Sequence, residues 1–568
     1  MDDQELLDNI DGRMHGPMRG FIKKYFGDLQ YKPQDAIPLA APPPHDFLQW
    51  FSSHVSQEPA GGRGSWEIPE EESADDGACL LLTIPISSSS DAQTKWGHVH
   101  VIGQFNHRCS VSYQDGLLHL CRSAYQVFAS QPTRLFLHGF YIRGSLAELW
   151  VFDRSGLYCS DVFDIESDVT QFLSVISSYQ RMTDQELGKL SIIETDGGGS
   201  YIDLDSAEKP SLGKLYLESQ PIARRERLVG TGTTCYRARA PDSSRWDYVV
   251  KFKWRWARDR PEDELLGLAG EKCVWGALSI DYYNEVEDTS NLRRSLRWGS
   301  HRKFTPEDIR DNHEINKEQQ RETSSDADGL AKYTKETGDF FQNYILACIV
   351  TSPVGRPLQT FHSLLELLQV FHDAIKCHRS LYNNAKILHQ DISPGNIIIL
   401  DDQDEGKPRG ILIDLDSAIQ LSEIPEAEAG ITGTRPFIAI GVLKQECHTY
   451  RHDLESFLYV FLWTVITNHV DDPLEKSKLR QWSNGSWDEL AARKSLDMGQ
   501  DSFHDILEEF AVEFESLKPL AESLHRILFP MRDGVIWAGT DGSPEAVEKL
   551  YDEMIGAFEE AIASEDGI

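Results

Sequence analysis

The sequence predicts an α+β protein of two lobes, a β-rich lobe followed by a mainly helical one, with an additional α/β region at the N-terminus. Three observations predict it. Between Arg134 and Ile165, short runs rich in Leu, Val, Phe and Tyr are separated by Arg-Gly-Ser and Arg-Ser-Gly, which reads as an antiparallel strand series. A second strand series occupies RRERLVGTGTTCYRARA and DYVVKFKW. Later in the chain the pattern turns helical, in LLELLQVFHDAIKCHRSLYN and DLESFLYVFLWTVI.

A chain of 568 residues exceeds one ordinary core, so several compact units are expected. Residues 1–132 are mixed in pattern and punctuated by APPPHD, PAGGRGS and ISSSSDAQ; they disclose no function. Residues 133–222 form a β-rich extension joined to the following lobe, with a helix over Asp168–Met182 packing on its strands. The first lobe covers 223–350, with a helix in PEDELLGLAGEKCVWGAL and a polar insertion at about 287–338 that reads as exposed or disordered. Residues 351–568 form the helical lobe and the C-terminal helices.

Acidic side chains outnumber basic ones 91 to 56, for a formal charge of -35, which disfavours duplex nucleic acid or an anionic membrane as the main partner. Nine cysteines are scattered without a C-x-x-C pair, as expected of reduced, packed thiols. The start, MDDQELLDNIDGRM, has neither the basic nor the apolar region of a secretory signal, and the longest apolar run, Phe457–Ile466, is too short to span a bilayer. The expectation is an intracellular protein, cytoplasmic or nuclear.

Chemistry concentrates in HQDISPGNIIIL, from His389 to Leu400. Phosphoryl transfer needs a carboxylate to orient or deprotonate the accepting hydroxyl and an uncharged oxygen nearby to hold a divalent ion. Asp391 and Asn396 supply both from one turn, and the following apolar run fixes the turn's far end as a buried strand. Eighteen positions after Asn396, ILIDLDSA ends another apolar strand on Asp414, a candidate Mg²⁺ ligand. Upstream, LVGTGTTCY places Gly230 and Gly232 in a turn whose backbone can approach phosphates, and Lys251 follows Gly230 by 21 positions, the separation of a returning hairpin. His389 reads as a packed group that holds the loop, with the proton chemistry on Asp391.

The order of glycine turn, strand lysine, helix acid, catalytic loop and metal aspartate resembles the protein kinase signature set. More narrowly, GRPLQTFHSLLELLQVFHDAIKCHRSLYNNAKILHQDISPGNIII, LIDLDSA, GTRPFIAIGVL and HTYRHDLESFLYVFLW resemble the fungal-type protein kinase (FunK) family, over about Arg134 to Trp463. The resemblance implies a bilobal protein kinase-like fold and an ATP- and Mg²⁺-dependent protein kinase that transfers the γ-phosphoryl group to serine or threonine of a protein substrate. It implies Asp391 as catalytic base, Asn396 and Asp414 as metal ligands, and Lys251 on the α- and β-phosphates beneath the Gly230–Gly232 turn. Lys251 is expected to pair with Glu264, with Glu271 as the competing acid. Asp453 is expected to accept hydrogen bonds from the catalytic-loop backbone, and Thr434 to stand beside Asp391.

The sequence departs from that pattern in five places. Cys235 replaces the third glycine, and Gln390 replaces the arginine of His-Arg-Asp. Ser393 stands where a lysine near the γ-phosphate is expected. Asp416 takes the place of the glycine of Asp-Phe-Gly. Gly441 takes that of the Ala-Pro-Glu glutamate, a loss expected to remove a buried ion pair and loosen the activation segment. Two other readings fit the same residues. One is a pseudokinase, a nucleotide-binding scaffold for a partner. The other is a small-molecule phosphotransferase, because HQDISPGNIII with IDLD also resembles the loops of aminoglycoside and choline kinases.

Overall fold

The computed structural model describes residues 3–27, 47–55, 62–69, 77–84, 95–107, 112–190, 192–204, 212–225, 227–298, 341–401, 406–423, 430–470, 472–532 and 535–566. These fall into two compact units, Met1–Arg245 with Val250–Asp259 and Tyr282–Ile349, and Trp246–Val249 with Arg260–Asp281 and Val350–Ile568.

The first unit contains an eight-stranded sheet of β1 (Met14–His15), β2 (Ser65–Glu67), β3 (Gly77–Thr83), β4 (Val99–Asn106), β5 (Phe136–Arg143), β6 (Leu146–Asp153), β7 (Gly156–Cys159) and β8 (Phe163–Asp164). Its order is β1-β7-β6-β5-β4-β3-β2, with β8 on β6. Successive side chains serve opposite faces. Leu80, Leu82, Phe140, Ile142, Leu149 and Val151 pack with Trp50, Phe51 and Phe172 of helices Phe47–Val55 and Val169–Tyr179. Leu81, Tyr141, Trp150 and Phe152 pack with Leu6, Leu117 and Ala124 of helices Asp3–Ile10 and Tyr113–Ser130. Helices on both faces explain why the central strands are buried along nearly their whole length instead of on alternate residues. The series from Arg134 is antiparallel as expected, β5 to β6 and β6 to both β7 and β8. Asp168 caps its helix by accepting from Gln171 N at 3.0 Å.

Strands on either side of residue 132 share this sheet, because β4 pairs with β5 in parallel. The boundary expected there therefore falls inside one layer. A second sheet holds β9 (Ile193–Asp196), β10 (Gly199–Asp203), β11 (Lys214–Leu217), β12 (Ala223–Arg225), β13 (Gly232–Arg239), β14 (Tyr248–Trp256), β15 (Ser279–Asp288) and β16 (Tyr344–Ser352). Its order is β15-β16-β14-β13-β11-β10-β9, with β12 also on β13.

Residues 287–298, expected to open the polar insertion, are instead part of the packed unit. They finish β15, form the short helix Thr289–Leu292 and bury Arg293. Arg293 makes a two-pronged ion pair with Asp153, Nε to Oδ2 and Nη2 to Oδ1 both at 2.7 Å, with both side chains essentially enclosed. Its guanidinium also lies 4.6 Å from the Trp298 ring centroid and 4.4 Å from that of Phe341. A charge enclosed so completely persists because it is paired and stacked. The remainder of that segment, 299–338, lies outside the described residues.

The second unit is built on helices Glu262–Glu271, Leu364–Ser380, Tyr450–Thr467, Lys518–Leu528 and Pro544–Asp566 around one apolar core. Tyr450–Thr467 is buried on every side, as its unbroken apolar stretch demands. Short strands complete the unit: β17 (Arg356–Pro357), β18 (Ile387–Leu388), β19 (Ile397–Ile399), β20 (Gly410–Leu412) and β21 (Ile419–Gln420). The described cysteines are free thiols, and Cys273 and Cys447 among them are exposed. No helix among the described residues is long and apolar enough to cross a membrane.

Candidate active site

The loop from His389 to Asn396 is held at both ends by strands. β18 pairs with β21, Leu388 opposite Ile419, and β19 pairs with β20, Ile397 opposite Leu412. Between them the backbone takes left-handed turns at Gln390 (φ +66°) and Asp414 (φ +67°), conformations that side chains adopt only when surroundings impose them. Here Asp453 imposes the first. Its Oδ2 accepts from His389 N at 3.1 Å and Gln390 N at 3.2 Å, as expected of it, and also from His378 Nε2 at 2.8 Å. Its Oδ1 accepts from His448 Nε2 at 2.8 Å. Burial alone would raise this carboxyl's pKa, but the His448 and His378 donors hold it well below the usual carboxylate range.

His389 is enclosed, and its partners fix one tautomer. Nε2–H donates to Ile413 O at 3.1 Å, while Nδ1 accepts from Asp391 N at 3.3 Å. Burial pushes this imidazole below its ordinary pKa, against the pull of Asp453, so it stays neutral and acts as a brace. Asp391 itself is half-buried. Its Oδ1 accepts from both Thr434 N (2.8 Å) and Thr434 Oγ1 (2.7 Å). Asn396 directs its amide nitrogen to Asp391 O at 2.8 Å and Oδ2 at 3.2 Å, so its oxygen is the atom it can offer a cation. Ser393 is buried, and its carbonyl accepts from Asn396 N at 3.0 Å.

Thr434 reaches Asp391 because Gly433 precedes it at φ +117°; a Cβ there would stand 3.0 Å from Gln390 O. Gly433→Ala is expected to introduce strain of about 1–3 kcal/mol and to displace Thr434, read as a lower urea midpoint of unfolding and faster hydrogen exchange at the Thr434 amide. An unchanged midpoint with unchanged exchange would show that the loop tolerates the added methyl group.

Asp414, expected as a metal ligand, has company. Glu262, Asp414 and Asp416 each place a carboxylate oxygen within 4.8 Å of the other two. Glu262 is buried, whereas Glu264 is exposed and engaged by Arg260 at 2.9 Å, and Glu271 is exposed at the helix end. The sequence reading missed Glu262, although a signal existed. Glu262, Leu265, Leu266 and Ala269 recur at the spacing of one buried helix face, and Glu264 falls off it. Arg260 also meets Glu423 at 3.1 Å and Gln420 Oε1 at 3.0 Å, which ties the start of this helix to the segment after Asp414.

Around Gly441, where the loss of an ion pair is expected, other contacts hold the backbone. Glu455 Oε1 accepts from Ile440 N at 2.7 Å while its Oε2 pairs with buried Arg451 at 2.7 Å. Lys494 donates to Ile438 O at 2.7 Å. A Cβ at Gly441 would lie 2.4 Å from His452 Nε2, so the His452 ring fills the space beside this residue, and a buried ion pair joins Arg451 to Glu455 nearby.

In the first unit, β12 and β13 flank the glycine turn, with Arg225 opposite Thr233, and Gly230 adopts φ +96°. Lys251 is half-buried on β14, two strands from β12 in that sheet. A search of curated proteins finds no match to this chain. The family model that does match, over residues 79–465, is described as fungal protein kinase.

Proposed function

The protein belongs to the fungal protein kinase family, and from that premise we propose that it transfers the γ-phosphoryl group of ATP, with Mg²⁺, to a serine or threonine hydroxyl of a protein substrate. The observation that carries this reading is the Asp391 carboxylate, oriented by Asn396 and Thr434 and set on a loop braced by Asp453 and His389. Asp391 orients the acceptor hydroxyl and takes its proton through Oδ2, since Thr434 already occupies Oδ1. The hard oxygen donors of Asp414, Asp416 and Glu262, with Asn396, suit Mg²⁺. Bound there, Mg²⁺ supplies neutralising charge on the phosphates. Glu262 acts beside Asp414. Lys251 holds the α- and β-phosphates, and the Gly230–Gly232 turn admits their close approach.

Buried Ser393, standing where the family pattern has a cation, favours a second reading, a nucleotide-binding scaffold. Calorimetry of ATP binding with and without Mg²⁺ tests both, because it needs no acceptor. Lys251→Ala, Asp414→Ala and Glu262→Gln are each expected to weaken Mg²⁺-dependent binding by about tenfold or more. Glu264→Gln is expected to stay within about 0.5 kcal/mol of the parent. Binding without turnover on any protein acceptor would select the scaffold; no binding by the folded chain would defeat both readings.

A further inference from the structure

The turn joining β6 to β7, Asp153–Gly156, faces two ways within the first unit. On one side Asp153 holds Arg293, and Ser155 Oγ donates to Gln342 O at 2.5 Å and contacts Thr289 Oγ1 at 2.6 Å, which fixes the ends of β15 and β16. On the other side lies the glycine turn. Arg154 O accepts from Gly230 N at 2.7 Å. The Arg154 guanidinium donates to Arg227 O, lies 4.9 Å from the Phe128 ring centroid, and stands 3.3 Å from the place a Cβ on Gly232 would occupy. A side chain at 232 would press on Arg154, so the guanidinium packs directly against this end of the turn.

The helix Asp3–Ile10 adds a second hold. Asn9 Oδ1 accepts from Val229 N at 3.2 Å, and Arg13 Nη1 donates to the Asn9 carbonyl at 3.2 Å. Leu228 and Val229 are 0% and 1% exposed, in the same apolar cluster as Leu6, Ile10, Phe128 and Trp150. The entry to the turn is therefore part of the core of the N-terminal α/β layer.

We propose that this layer is the positioning device of the glycine turn, with Asn9 and Arg154 as positioning residues that set its conformation for nucleotide phosphates. The inference rests on the reading that Gly230 and Gly232 receive those phosphates. A turn ordered in advance does not have to be ordered by the ligand, and that difference appears as affinity. Because the Val229 and Gly230 amides are engaged by the layer, a phosphate is met by groups beyond Gly230.

The test uses the full chain, with hydrogen exchange at the Val229 amide and calorimetry of Mg²⁺-ATP binding. Asn9→Leu keeps the side-chain size but removes the acceptor; Asn9→Asp keeps the acceptor; Asn9→Ala repeats the loss without added bulk should leucine disturb the helix. In the parent chain the Val229 amide is protected without nucleotide. Asn9→Leu or Asn9→Ala is expected to lose that protection and to weaken nucleotide binding by about 3- to 10-fold, whereas Asn9→Asp retains the protection. Lost protection with unchanged or tighter binding overturns the positioning role and leaves the nucleotide reading standing, provided Lys251→Ala still weakens binding. A protected Val229 in a parent chain that binds no nucleotide sinks the nucleotide reading, and this proposal with it.

Discussion

Asp391→Ala should lower phosphoryl transfer by about 10²–10⁴-fold, the usual contribution of a positioned general base. Alanine removes the acceptor of the Thr434 N–H and hydroxyl and one of the two acceptors of the Asn396 amide, leaving it the backbone carbonyl, so chemistry and geometry are both affected. Asp391→Asn separates them. Its side-chain oxygen still accepts from Thr434 but cannot take a proton, while its amide nitrogen can no longer accept from Asn396, so a fall well beyond that of Asn396→Ala assigns the loss to the base. Rates equal to the parent in Asp391→Ala would remove this residue from the role. Calorimetry on the same samples shows whether the nucleotide is still bound.

The second large effect is structural. Asp453→Ala leaves four donors, His378 Nε2, His448 Nε2, His389 N and Gln390 N, facing a cavity in a place closed to water. Removing one side of such a buried cluster costs about 3–5 kcal/mol, measured as a lower urea midpoint of unfolding. The pH dependence has a definite sign. The folded carboxyl lies below its unfolded value, so its stabilisation is complete above the unfolded pKa of about 3.9 and is lost as pH falls through it toward the folded value. The gap between parent and variant should therefore be full near neutrality and narrow in acid. A gap that did not change with pH would show that lost packing, not charge, accounts for the effect.

The Asp453 cluster also illustrates what a sequence conceals. Tyr551 pairs its hydroxyl with His378 Nδ1 at 2.8 Å, and His378 passes the constraint to Asp453 through Nε2, so the C-terminal helix braces the loop that carries Asp391. Nothing local to Tyr551 or His378 marks either residue for this task, because 173 positions separate them. By contrast, the loop itself was legible. The His-x-Asp-x4-Asn spacing, the buried Ile397–Ile399 run and the strand ending at Asp414 are short-range patterns, and the structure puts Asn396 against Asp391 accordingly.

The helix acid shows a middle case. Order along the chain points to Glu264 as the partner of Lys251, whereas the apolar period of the helix places Glu262 on its buried face, and the structure groups Glu262 with Asp414 and Asp416. At Gly441 the loss of one carboxylate is local, whereas Glu455, fourteen residues on, reaches the Ile440 amide only through the fold.

The sequence by itself determined the two-lobed α+β class, the strands and helices with strong period, and the spacing of Asp391, Asn396 and Asp414, because all of these follow from backbone geometry over a few residues. Only the tertiary structure decided that residues before and after 132 share one sheet, that Asn9 and Arg154 hold the glycine turn, and that Tyr551 braces Asp453. Those decisions pair donors and acceptors far apart in the chain, and a buried polar group accepts whichever partner the packing brings to it.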